Sequence, residues 1–259
     1  MHINLLDPAD TRHETICDVY SITGIDSFAE LLKIRADYQS QYPDYSILLT
    51  LDDLGQAQYT SMHAKSSHDL DDIEGYDLSS VDKSAFENGE HIGYLTTKSE
   101  FFIRKGNFEK KIQDISFADV CAEGITIDDE LDVLESINLK PEALLDTEVL
   151  MMIVPVADSA LALCAFPNGY FSCDLNPFQN YALAKYLHVN YQYQLLGIGA
   201  SCIGFIRHET LKSAEIEKLA IDVAKLYQCE DDAESIRRFA KMITDNQYLF
   251  LKYTESLDM

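Results

Sequence analysis

The chain has 259 residues, with 44 Asp and Glu against 20 Lys and Arg, a formal net charge of −24 at pH 7. Its 47% hydrophobic content excludes global disorder, because that much apolar surface can form a sizeable core. A surface this acidic repels a phosphate backbone and an anionic bilayer alike, so neither nucleic acid nor a membrane is expected as a partner.

In chain order, residues 1–8 show no basic stretch followed by an apolar one, and no secretory signal is expected. Ser27-Phe28-Ala29-Glu30 reads as a capping box opening a helix to about Gln41, where Pro43 prevents continuation. Tyr45 to Leu51 reads as a buried strand, with Asp52 and Asp53 at its end. Residues 64–90 are polar and rich in Ser and Asp, which predicts a long loop. At its start His63, His68 and Asp69 offer imidazole and carboxylate ligands suited to zinc or manganese. Their spacing matches neither a helical i, i+4 pair nor a calcium loop, and a solvated acidic loop is the competing reading. Arg104-Lys105 and Lys110-Lys111 form one small basic cluster, read as ion-pair partners for the acidic loops.

The longest apolar stretch, Val149 to Phe166, touches the lower limit for a membrane span, but Pro155 and Asp158 sit near its middle. Two buried strands joined by a turn are expected instead. Phe166-Pro167-Asn168-Gly169-Tyr170 suits a type I turn closed by a left-handed glycine, hence a hairpin with Cys164 and Cys173 on opposite faces. All six cysteines are therefore expected to be reduced, in a cytoplasmic protein. Asn176-Pro177 supplies a cap and a first-turn proline for a helix, followed by a strand from Gln192 to Ile198. This helix-then-strand unit resembles the one opened by Phe28, which suggests a diverged internal duplication. Gly197-Ile198-Gly199 to Gly204 departs from the dinucleotide-binding spacing, and its glycines read as a bulge or a close backbone approach. Ile216, Leu219, Ala220, Val223 and Leu226 form one face of a helix capped by Ser213. Asp231 to Glu234 opens another, and Tyr248 to Tyr253 reads as a last strand.

These elements predict an α+β fold, with a mixed or antiparallel central sheet flanked by helices and centred on residues 149–206. Residues 1–150 hold 31 acids and 11 bases, and residues 151–259 hold 13 and 9. Either one domain spans 1–259, or an acidic half (1–148) packs intimately against an apolar-core half (149–259), with no linker between them. Cys202 and His208, with Glu209 to orient the imidazole, are the candidates for nucleophilic catalysis. Along an extended strand they would stand about 20 Å apart, so only a sharp turn would join them. No cofactor is implied. The leading functional expectation is a non-enzymatic acidic protein that binds or regulates a basic protein partner. The alternative is a small-molecule hydrolase with a pocket near the ends of the sheet, using Asn176, Ser201, Cys202 and His208.

Overall fold

Two apolar runs with no polar alternation build the centre of the protein, and both are buried on two sides. In the computed structural model, which describes residues 1–7 and 16–257, these runs are strands β3 (Ser46–Thr50) and β6 (Glu148–Val154). Before them come β1 (His2–Leu5), β2 (Asp18–Thr23) and helix α1 (Phe28–Gln41). Between them lie α2 (Leu54–Ser67), a two-stranded ribbon β4 (Phe86–Glu87) and β5 (Glu90–His91), α3 (Phe101–Lys111), α4 (Phe117–Ala122) and α5 (Leu131–Leu139). After β6 follow α6 (Pro177–Tyr191), β7 (Gln194–Ile198), β8 (Cys202–Ile206), α7 (Ser213–Leu226), α8 (Ala233–Asp245) and β9 (Tyr248–Lys252).

The fold is α+β, with a seven-stranded mixed sheet in the order β1-β2-β6-β3-β7-β8-β9. Every pairing is antiparallel except β3–β7, where Leu49 faces Gly197 and Thr50 faces Ile198. Side chains alternate across a strand, so Ile47, Leu49, Val149, Met151 and Ile153 join one core with Phe28 and Leu31 of α1. Leu48, Leu150, Met152 and Val154 join the other with α2, α3, α6, α7 and α8. Burial on both faces explains the unbroken apolar runs.

The sheet is not drawn from residues 149–206 alone. β3, from the acidic half, lies between β6 and β7, and β9 forms one edge. The two helix–strand units do end in neighbouring parallel strands, but α1 packs on one face of the sheet and α6 on the other. Their likeness in order along the chain does not extend to the side on which each helix lies.

Three local expectations are corrected. Residues 159–176 form no hairpin: after β6 the chain turns through a 3-10 helix, Ala160–Cys164, into an irregular loop. Gly169 does adopt the positive φ expected of it, at 101°, but for a different reason. A Cβ there would lie 1.8 Å from the Leu175 carbonyl oxygen, so the loop closes on itself rather than on a partner strand. Ser27 makes no side-chain cap; the Phe28 N–H donates instead to Glu142 Oε1 at 3.3 Å. Helix α7 begins at Ser213 itself, with Lys212 in the cap position. By contrast Asn176 accepts from Phe178 and Gln179, with Gln179 reciprocating, and Asp232 caps α8 by accepting from Glu234 and Ser235.

Helix α2 is the element the sequence hid. Behind Leu54 its buried residues are Ala57, Thr60, Ser61 and Ala64, with Lys65 at the end, and small residues leave no periodic signal of large apolar side chains. The loop predicted over 64–90 therefore begins only after Ser67, and it ends early, at a 3-10 helix over Lys83–Ala85 and the β4–β5 ribbon. No helix among the described residues is long and apolar enough to cross a membrane.

Candidate functional site

Strands β3 and β7 run in the same direction, so the segments that leave them meet at one end of the sheet. In sheets of this kind ligands favour the crevice beyond the carboxyl ends of parallel neighbours. The first group there is Asp52, only 4% exposed. Its Oδ2 accepts from the Ser201 N–H at 2.6 Å and the Ser201 hydroxyl at 2.7 Å, and its Oδ1 from the Cys202 N–H at 3.2 Å. Burial pushes this carboxyl up, and the donors from Ser201 and Cys202 pull it back. Gly199 is required beside it, because a Cβ would stand 2.0 Å from Asp52 Oδ1. From the other side the Tyr253 hydroxyl donates to the Gly199 carbonyl at 2.7 Å, with Ala200 O at 3.0 Å. Asp52 and Tyr253 therefore hold the β7–β8 turn like two jaws.

Next to this clamp a cleft of about 370 Å³ opens between α2, the 171–174 loop, the β7–β8 turn and the segment after β9. Gln56, Ser201 and Thr254 line it together with two acids, Asp174 and Glu255. Asp174 is 6% exposed and accepts from the Phe171 N–H at 3.3 Å and from the Glu255 backbone N–H. Burial, reinforced by the Glu255 charge, pushes its carboxyl up to about 6. Glu255 is exposed, and among the described residues its carboxylate accepts only a thiol donor, Cys173 Sγ at 3.2 Å. Among the described residues neither carboxylate forms an ion pair with Lys, Arg or His, although the Lys252 ammonium donates to the Glu255 backbone carbonyl at 2.9 Å; by contrast Glu100 faces His91 and Asp71 is held by Arg104.

An aromatic lip adjoins the cleft. Tyr59, Tyr170 and Phe171 are between 40% and 48% exposed, with His63 between the first two. Their rings run in series: Tyr59 to His63 at 4.4 Å, His63 stacked on Tyr170 at 4.9 Å, and Tyr170 to Phe171 at 5.4 Å. The loop that carries the last two is fastened from beneath. Asn168 is fully buried: its Nδ2 donates to the Ala57 carbonyl at 3.0 Å, its Oδ1 accepts from the Thr60 hydroxyl, and its carbonyl accepts from Asn180. The lip is thus anchored to both α2 and α6.

The sequence candidates fall in different places. His63 belongs to the lip, while His68 ends α2 and packs edge-on against Phe178 at 4.9 Å. Burial and the Lys111 charge lower the His68 pKa. Asp69 is an exposed turn residue with φ of 52°, and no group of three or more potential ligands is poised for a metal among the described residues. Cys202 and His208 are not brought together: Cys202 starts β8, wholly buried on the α1 side, and His208 lies exposed beyond the other end of that strand. Burial pushes the Cys202 thiol up, away from the thiolate that nucleophilic attack needs. Asn176 and Ser201 serve as a helix cap and a partner of Asp52. All six cysteines are free. The lip and cleft escaped sequence reasoning because they join four segments remote along the chain. Neither family models, curated proteins nor solved structures provide a match for this chain.

Proposed function

We propose that this is a non-enzymatic binding or regulatory protein that docks a basic protein partner on the aromatic lip and the acidic cleft beside it. The observation that carries the reading is the juxtaposition of exposed Tyr59, Tyr170 and Phe171 with two carboxylates that form no ion pair among the described residues. Aromatic side chains contribute large contact area at low entropic cost, and unpaired carboxylates select positive charge. The net charge of −24 adds long-range steering of a basic partner. The decisive acids, Asp174 and Glu255, belong to the less acidic half of the chain, so the concentration of charge before residue 150 acts in steering rather than in contact. Against the hydrolase alternative, Cys202 is wholly buried at the start of β8 and His208 lies exposed beyond the other end of that strand.

The test separates contact from bulk charge. A decameric polyarginine peptide is titrated into the full chain, and into Tyr59→Ser, Tyr170→Ser, Phe171→Ser combined, which leaves net charge unchanged. Loss of about tenfold or more in affinity, with protection from hydrogen exchange over residues 56–63 and 168–174, supports the proposal. Equal affinity for both proteins, governed by salt alone, overturns it.

A further inference from the structure

Resting on that binding reading, we infer that the cleft receives one arginine side chain of the partner, its guanidinium placed between the Asp174 and Glu255 carboxylates and against the Phe171 ring. Three features select this occupant. First, the two acids keep acceptor capacity: a carboxylate offers about four lone-pair sites, and Glu255 uses one on a weak thiol donor while Asp174 uses two on backbone amides. Asp52, the neighbouring buried acid, differs because Ser201 and Cys202 already supply three donors to it.

Second, the acceptors are spread across the opening rather than gathered at one point. Glu255 follows β9 and Asp174 lies on the loop before α6, while Ser201 and Thr254 line the wall with their hydroxyls donating to Asp52 and to the Ser256 carbonyl. A guanidinium carries five donors in a plane and spans such a set, whereas an ammonium is a compact point charge that holds its hydration shell. Third, Phe171 is both a wall of the cleft and an exposed member of the lip, 47% accessible, so a planar cation entering the cleft meets an aromatic face. The space of about 370 Å³ suits one long side chain and not a folded element.

The experiment titrates the full chain at low salt with three blocked tripeptides, Gly-Arg-Gly, Gly-Lys-Gly and Gly-citrulline-Gly, followed by amide NMR shifts. Citrulline keeps the shape of arginine and removes its charge. The expected result is saturable shifts confined to residues 171–174 and 254–256 with the arginine peptide, about fivefold weaker binding of the lysine peptide, and none of the citrulline peptide. Glu255→Gln, at an exposed position, and Asp174→Asn should each weaken arginine binding about tenfold, and Phe171→Leu about threefold, with the remaining spectrum unchanged. Equal binding of lysine and arginine, equal binding of citrulline, or shifts located elsewhere each overturn the inference. If the tripeptides fail while decameric polyarginine still depends on the aromatic lip, the arginine anchor falls and the binding reading stands. If that dependence is also missing, both fall.

Discussion

Asp52 and Asp174 sit at the same end of the sheet, both nearly inaccessible and both without an ion-pair partner among the described residues, yet they have opposite meanings. Asp52 receives two backbone amides and a hydroxyl, all from the turn it clamps, and with Gly199 pressed against it there is no room for anything else. Asp174 accepts from two backbone amides, stands beside a second acid and lines an open cleft. Burial of a carboxylate is therefore not informative by itself. Its satisfaction is: a fully bonded acid supports the fold, while one left with spare acceptors and a like charge nearby is held for a ligand.

The contrast is broken most severely at Asp52. Asp52→Ala strands the Ser201 and Cys202 donors in a dry site and should cost about 3–4 kcal/mol, read from urea unfolding. Gly199→Ala, whose methyl would stand 2.0 Å from the same carboxylate, should cost about 2–3 kcal/mol by the same measurement. Asp174→Asn should act the other way. A carboxyl raised from 3.8 to about 6 stays protonated in the folded chain while the unfolded chain ionises. The contribution of Asp174 to stability is therefore fully present below pH 3.8 and is lost as pH rises through about 6. The substitution should flatten that fall, worth at most about 3 kcal/mol, in melts collected from pH 3 to 7. An unchanged slope would show that another group titrates there. Smallest is Glu255→Gln, exposed, which should leave stability within about 0.5 kcal/mol. Removing its charge should nevertheless move the Asp174 midpoint down from about 6 in a carboxyl carbon-13 titration.

One edge of the sheet makes a related point about side chains that replace missing partners. At the β9 edge, Asn138 accepts from the Phe250 N–H at 2.8 Å and donates to its carbonyl at 3.0 Å. Tyr227 does the same for Lys252, accepting at 2.7 Å and donating at 3.0 Å. These two residues seal the edge as a further strand would. Nothing in the sequence around Asn138 or Tyr227 announces this, since the partner lies 112 residues away for one and 25 for the other.

Much of the fold was readable because its signals are local. Asn176 with Pro177, Asp232, the chain-stopping Pro43 and the apolar face of α7 each act within one or two turns, and the elements appear where those residues put them. Ser27 misled because a more distant acid, Glu142, reached the same helix end. The turn chemistry around Asn168 and Gly169 was genuine, but Asn168 spends its hydrogen bonds on α2 and α6 rather than on a facing strand. Helix α2 escaped because Ala57, Thr60, Ser61 and Ala64 pack by being small, and smallness carries no periodic hydrophobic pattern. The candidate site escaped with it, as His63 looks like a ligand in a loop until α2 stacks its ring against Tyr170.

By itself the sequence determined which stretches bury both faces, where several helices start and stop, and the sign of the field around the molecule. These depend on neighbours along the chain or on composition alone. Only the tertiary structure decided that β3 lies beside β7, that Asp52 bonds Ser201, and that Asp174 meets Glu255 beneath an aromatic lip. The physical reason is that long-range pairings arise from competition among many near-equivalent contacts, settled by how whole elements pack and not by any residue's own preference.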